Sequence, residues 1–175
     1  IRNYLSHEEY AGGYPVAVSS AVNADLQAIL IKMGKTCYEV STKDVKAFKE
    51  TDLILNAYYS FANHGVTYIP VIDGKKRVKG VITAGKLLQI ASKSKAGLEG
   101  KTVGEFDSYF AIENHTKRFL FLPKDEPMAT AEKEFSSLVG GKRVGLIIVT
   151  EHGEKDEAML GVISIYDVVK EDIRK

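Results

Sequence analysis

Ser164 and Asp167 stand three residues apart, where the apolar run Gly161-Val162-Ile163 ends and a helical pattern begins. A hydroxyl beside the free N–H groups of a helix N-terminus suits a phosphate. A carboxylate one turn in can accept two hydrogen bonds from a diol. The same spacing is close to a capping box, in which both side chains serve only the helix end. Spacing does not separate these readings, and one constellation can do both. Thr83 and Lys86 occupy the matching positions after Gly80-Val81-Ile82. There an ammonium stands in place of the carboxylate, and it cannot accept from a diol. Lys86 either reaches a phosphate held by the other half or is a solvated helix lysine.

Other chemistry is sparse. His7, His64, His115 and His152 fall in separate segments, without zinc-site spacing. Cys37 is the single cysteine, so it makes no internal disulfide, and no base partner for it is visible in sequence. Gly140-Gly141-Lys142 lacks the spacing of a phosphate loop. Lys142 and Arg143 either meet a phosphate or are solvated charges beside a turn. With no catalytic or metal-binding constellation, the expectation is a protein that is not an enzyme and holds no metal.

The elements that must position Ser164 and Asp167 occur twice. Val66 to Asp73-Gly74 and Gly80 to Leu88 form one copy; Val144 to Val149 and Gly161 to Val169 form the other. Gly80 follows Val66 by 14 positions and Gly161 follows Val144 by 17, so the second turn is three residues longer. Each copy reads β-α-β-β-α. In the first, a strand over Val45–Phe48 precedes a helix capped by Thr51 or Asp52, with Ile54, Ala57, Tyr58 and Phe61 on one face. Strands over Tyr68–Ile72 and Val78–Ile82 flank a tight turn at Asp73-Gly74. Thr83 then starts a helix through Ile90. In the second, a strand over Phe119–Leu122 precedes a helix carrying Met128, Ala131, Phe135 and Leu138, ended by Gly140-Gly141. Strands over Val144–Thr150 and Met159–Ile163 flank a charged loop, and a helix runs from Ile165 into Arg174. The run Leu146–Val149 predicts sheets covered on both faces. Before the repeats, Val16–Val18 is a short strand, and Asn23 caps a helix through Leu26, Ile29, Leu30 and Met33 ending near Gly34. Val103–Tyr109 makes a short helical turn. The divisions are an extension over 1–35, a first repeat over 36–95, a linker over 96–117 and a second repeat over 118–175. Units this small bury little alone, so the copies should pack together and leave a cleft between them.

Bulk properties are those of an ordinary globular chain: 175 residues, 45% hydrophobic. Lys+Arg 24 against Asp+Glu 23 leaves +1, which points to no nucleic-acid partner. No apolar run approaches a membrane span, and the start lacks a secretory pattern. A cytoplasmic home fits the lone cysteine. Ile1 rather than Met begins the sequence, as in an excised regulatory piece or a processed chain.

The β-α-β-β-α order, the Ile69-Pro70-Val71-Ile72-Asp73 strand and the Gly80-Val81-Ile82-Thr83 strand end resemble a cystathionine-β-synthase-type (CBS) repeat, and two in tandem resemble a Bateman module. The resemblance covers residues 36–175. Cys37-Tyr38-Glu39-Val40, the strand at Val45 and the helix from Leu53 are loosely similar to the first repeat of one family member, the gamma subunit of AMP-activated protein kinase. The resemblance implies a mixed α+β (α/β) fold and a non-catalytic sensor. Its ligand would be an adenosine derivative, AMP, ADP, ATP or S-adenosylmethionine, held between the repeats. Ser164 and Asp167 then match the family's nucleotide signature, complete in the second repeat only; Thr83 and Lys86 are its altered counterpart. The strands Thr67-Tyr68-Ile69-Pro70 and Val144-Gly145-Leu146, with Ile163, would wall the cleft. Tyr68 could stack on a base, and Gly145 would let a ligand approach the backbone. Pro70 must sit where no ladder bond is needed. The resemblance also implies a homodimer, or an attached or partner protein that is regulated. The competing reading is a ligand-independent dimerisation or partner-binding scaffold, in which Ser164 and Asp167 are only a cap; Lys86 leans that way. A catalytic site in residues 1–35 plus the cleft is a third reading, with no constellation to support it.

Overall fold

The computed structural model describes Val22, Leu26, Ile29 and residues 34–94, 97–115, 118–139 and 142–173. The chain divides into two compact units, Ile1–Gly34 and Lys35–Lys175. In the first, Val22, Leu26, Ile29 and Gly34 are helical. The expectations at Val16–Val18, Asn23, Gly140-Gly141 and Arg174 lie outside the described residues. Among the described residues, no helix is long and apolar enough to cross a membrane.

The second unit opens with α1 (Cys37–Val40), which a capping box of Thr36 and Glu39 starts. Helix α2 (Ile54–His64) begins after Leu53 rather than at Thr51 or Asp52. No side chain caps it; the Ile54 N–H donates instead to the Lys101 carbonyl at 2.9 Å. Gly65 ends it in the left-handed region, at φ 61°. Strands β1 (Tyr68–Ile72) and β2 (Val78–Thr83) pair antiparallel, and α3 (Ala84–Lys93) follows with Thr83 as its cap. A 3-10 turn (Val103–Phe106), α4 (Asp107–Phe110) and a second 3-10 turn (Ile112–His115) occupy the connection. Then come β3 (Phe119–Pro123), α5 (Met128–Ser136), a small hairpin of β4 (Leu138–Val139) and β5 (Lys142–Arg143), β6 (Leu146–Thr150), β7 (Gly161–Ile163) and α6 (Ile165–Ile173). Strand β6 lies central, parallel to β3 and antiparallel to β7.

Further expectations need correction: the strands expected from Val144 and Met159 start at Leu146 and Gly161. Leu138 is not on the helical face: α5 stops at Ser136, and Leu138 is an exposed β4 residue. The opening strand at Val45–Phe48 contracts to one parallel bridge, Phe48 with Val71. The Phe48 N–H donates to the Pro70 carbonyl, and Ile72 N–H donates back to Phe48. Pro70 on that side has no N–H with which to extend the pairing.

Strand alternation builds three cores. Ile69, Val71 and Ile82 face α2 and α3, joined by Ile54, Ala57, Leu87 and Ile90. Ile147, Val149 and Ile163 face α5 and α6, with Met128, Ala131, Phe135 and Val168. The remaining positions meet between the sheets: Val78, Val81, Phe119, Leu146, Ile148 and Val162, with Tyr68, Ile72 and Phe121 at the margin. Strand β6 is buried along its whole length, as a sheet covered on both faces requires.

Segments cross between the halves. Thr42 pairs with Val162 of β7 through hydrogen bonds of 2.9 and 3.0 Å, and Cys37 is buried in the α5/α6 core. Residues 36–42 thus pack on the second half although they precede the first in sequence. In the other direction, Ala111 pairs with Gly80 of β2 and Thr102 with Leu53. A Cβ on Gly80 would lie 2.7 Å from the Phe110 carbonyl oxygen, and one on Gly161 would lie 2.5 Å from Ser41 Oγ and 2.9 Å from the Thr42 oxygen. The repeated glycines are therefore where a crossing backbone lies against a strand. Gly80→Ala and Gly161→Ala should each lower unfolding free energy by about 1–3 kcal/mol. Gly85→Ala, where a Cβ meets nothing within 4 Å, should raise it by about 0.4–1 kcal/mol. Denaturant titration of the three variants checks this; equal midpoints would contradict it.

One carboxylate ties down each hairpin turn. Asp73 accepts from the backbone N–H groups of Arg77 (3.0 Å) and Lys75 (2.8 Å), and from Arg77 Nε at 2.7 Å. These donors, the Arg77 N–H foremost, hold it down at about 2 against an ordinary 3.8. Glu157 accepts from the His152 N–H at 2.7 Å and meets His152 Nδ1 at 2.5 Å. The His152 N–H foremost holds it at about 2 against 4.5, while the same carboxylate raises His152 above 6.5. Both carboxylates are depressed, so their contribution is complete above about pH 4.5 and is lost as pH falls toward 2. The His152 contribution runs the other way: complete below 6.5, lost as pH rises through its raised value. The denaturation midpoint should fall below pH ~4.5, and Asp73→Asn with Glu157→Gln should flatten that fall.

Candidate ligand cleft

Helix α6 starts where β7 ends, so Ser164 and Asp167 sit at the joint. The Asp167 carboxylate folds back on that joint. Its Oδ2 accepts from the Ser164 N–H at 2.8 Å and from Ser164 Oγ at 2.7 Å. Its Oδ1 accepts from Thr42 Oγ1 at 3.1 Å. The backbone half of a capping box is present, but the Ser164 hydroxyl donates to the carboxylate instead of accepting from the helix. Thr42 comes from the crossing segment that pairs with Val162, so this carboxylate also ties residues 42–46 to the second half.

Beside it opens a cleft of about 440 Å³, within the range of small-molecule sites. Thr42, Asp44, Val45 and Lys46 line one side, and Gly65, Val66, Thr67 and Tyr68 another. Leu146, Val162, Ser164, Tyr166 and Asp167 complete it. Five residues marked from sequence meet here: Thr67, Tyr68, Leu146, Ser164 and Asp167. Tyr68 spans the joint between the halves. Its ring stacks edge-on against Phe119, with centroids 5.9 Å apart at 80°. Its hydroxyl covers Gly145, where a Cβ would lie 2.6 Å from Tyr68 Oη. The apolar wall and the few polar groups at one end suit a flat ring carrying a polar tail.

The other marked residues do not line this cleft. Ile69 and Ile163 are fully buried against the helices, because alternation turns them from the inter-sheet face. Pro70 is buried, and its carbonyl serves Phe48. Val144 lies in the α5/α6 core. Gly145 is approached by the Tyr68 phenol, which fills the space a ligand was expected to use. Thr83 accepts from the Lys86 N–H at 3.3 Å and caps α3; neither side chain reaches this cleft. Sequence reasoning missed Thr42, Asp44, Val45, Lys46, Gly65, Val66, Val162 and Tyr166. The signal was Gly161: a strand glycine next to no turn implies a backbone crossing it, here the 41–42 segment. Burial pushes the Cys37 thiol up to about 11, with the Glu126 charge adding to it, so it stays protonated at neutral pH. Among the described residues, no group of three His, Cys, Asp or Glu is placed to hold a metal.

Residues 37–93 match the family model for the CBS domain. The chain carries a CBS domain. Solved structures extend the likeness well beyond that segment. The AcuB protein of Vibrio cholerae is 14% identical, with a TM-score of 0.63 over 79% of this chain and 90% of that one. The CBS domain of a bacterial CNNM/CorC family Mg2+ transporter, solved in complex with ATP, is 19% identical, with a TM-score of 0.61 over 85% and 94%. The CBS domain pair of protein MJ0100, solved with 5′-methylthioadenosine and S-adenosylmethionine, is 15% identical, with a TM-score of 0.56 over 78% and 94%. At these identities the likeness shows the fold: a mixed α+β CBS-domain pair. Among curated proteins none matches the sequence.

Because the phenol fills the space over Gly145, Gly145→Ala must displace Tyr68 along the cleft or off Phe119. The substitution should cost about 1–3 kcal/mol. Adding Tyr68→Phe, which removes the oxygen nearest the new methyl, should recover part of the loss in a double-mutant cycle. Simple additivity would mean that the methyl and the phenol do not meet.

Proposed function

We propose that this CBS-domain chain is a regulatory module that senses an adenosine derivative in the cleft beside Ser164 and Asp167. The observation that carries the reading is the meeting of Thr67, Tyr68, Leu146, Ser164 and Asp167, all marked through the family resemblance and drawn from separate segments, around one cavity of ligand size. Asp167 accepts from one ribose hydroxyl, through the lone pair left beside its three present donors. Leu146, Val162 and Val45 provide the apolar wall for the base, and Tyr68 offers it an aromatic edge. Structures of fold relatives hold ATP in one case and 5′-methylthioadenosine with S-adenosylmethionine in another, so the fold accommodates such ligands. The role is regulatory rather than catalytic, with the responding protein attached to the chain or a separate partner, a second copy included.

A second reading is favoured by one observation: Thr42 and Ser164 already engage both Asp167 oxygens. The constellation then serves as a clasp between residues 42–46 and α6, and the pair is a ligand-independent scaffold. Thermal melts with AMP, ADP, ATP and S-adenosylmethionine separate the readings. A ligand at a hundred times its dissociation constant adds about 2.7 kcal/mol. Asp167→Asn, which keeps a capping oxygen, should abolish that gain under the sensor reading. No stabilisation by any of the four would leave the scaffold.

A further inference from the structure

The ionisable side chains among the described lining residues, tyrosines aside, are Asp44, Asp167 and Lys46, one cation against two carboxylates. We infer that this cleft selects nucleosides whose 5′ substituent is neutral or cationic, such as a thioether or sulfonium, over nucleoside polyphosphates. The inference rests on the adenosine-site reading and names the ligand class within it.

Three features set the preference. First, the negative charge at the polar end is fixed. Asp167 is half-buried and clamped by Ser164 N–H, Ser164 Oγ and Thr42 Oγ1. Lys46 is exposed, so its ammonium is well hydrated and must lose rotamer freedom to hold a phosphate. Second, the donors that would receive a phosphate are spent. The Ser164 hydroxyl and N–H both point at Asp167, as does the Thr42 hydroxyl. Third, the positive end of the α6 dipole already has its anion. The Asp167 carboxylate lies in the first turn, where a phosphate would otherwise gain from the helix N-terminus. A triphosphate would bring up to four negative charges toward two carboxylates and one mobile ammonium. A sulfonium would instead bring a positive charge toward the same two carboxylates, with the exposed face of Tyr166 on the cleft's rim.

The test is calorimetric titration of the full chain, at one fixed ionic strength, with adenosine, 5′-methylthioadenosine, S-adenosylmethionine, AMP and ATP. The thioether and sulfonium nucleosides should bind at least about tenfold tighter than ATP, a difference of roughly 1.4 kcal/mol. Asp44 is exposed, so Asp44→Asn and Asp44→Lys should fold normally. Along that series the S-adenosylmethionine-to-ATP affinity ratio should fall stepwise, by about tenfold overall. ATP binding as tightly as the sulfonium, or a ratio unmoved by Asp44→Lys, would overturn the charge selection while leaving the adenosine site standing. Failure of all five to bind would overturn the adenosine site itself, and this inference with it.

Discussion

Every strand of the two main sheets has one face on helices and the other on the opposite sheet, and this double coverage governs the rest of the molecule. Side chains alternate along a strand, so one register decides which residues enter which core. Ile147, Val149 and Ile163 go to the helices; Leu146, Ile148 and Val162 go between the sheets. A fully buried Leu or Ile contributes about 1.5–3 kcal/mol over an exposed one, so a slip of one residue would forfeit several such contributions. The cleft is the margin of the inter-sheet core, where Tyr68, Leu146 and Val162 run out of opposing side chains. Its apolar wall is therefore the same set of residues that joins the halves.

Crossing segments close the arrangement. Residues 36–38 pair with residues 124–127, 41–42 run against β7 and Ala111 runs against β2, so each half is completed by chain outside its own hairpin. The glycines at 80 and 161 make this possible, since a backbone takes the place of their missing side chains. The same crossing brings Thr42 to Asp167 and Asp44, Val45 and Lys46 to the cleft. Site and scaffold are assembled in one step, and neither half alone holds the lining.

Much of this was legible in the sequence because it is local. The hairpins, the helix faces of Ile54, Ala57 and Phe61 or Met128, Ala131 and Phe135, and the joint at Ser164 all follow from periodicity and turn chemistry. Three features were not legible. The 45–48 strand reads as alternating, yet tertiary pairing allows it one bridge, to Val71, because the neighbouring Pro70 has no N–H to extend it. Leu138 continues the α5 period, yet the helix stops two residues earlier and the chain turns into β4. Membership of the cleft depended on which face of β1 or β6 a residue takes, and on segments distant in sequence. A contiguous quartet such as Thr67 to Pro70 therefore supplied two lining residues, with Ile69 turned to the helices and Pro70 buried outside the lining.

Tyr68 holds the cleft and the joint in a single side chain. It lines the cavity, its ring packs edge-to-face with Phe119 of the second half, and its hydroxyl covers Gly145. The ring is packed on the core side, and interiors at native density transmit displacement rather than absorb it. An occupant that moves the ring changes the contact at Phe119 or at Gly145, both on the far side of the joint. What an occupant does is set by how differently it fits the ring as packed here and a displaced ring, not by how tightly it binds. A molecule that fits both equally shifts nothing at any concentration.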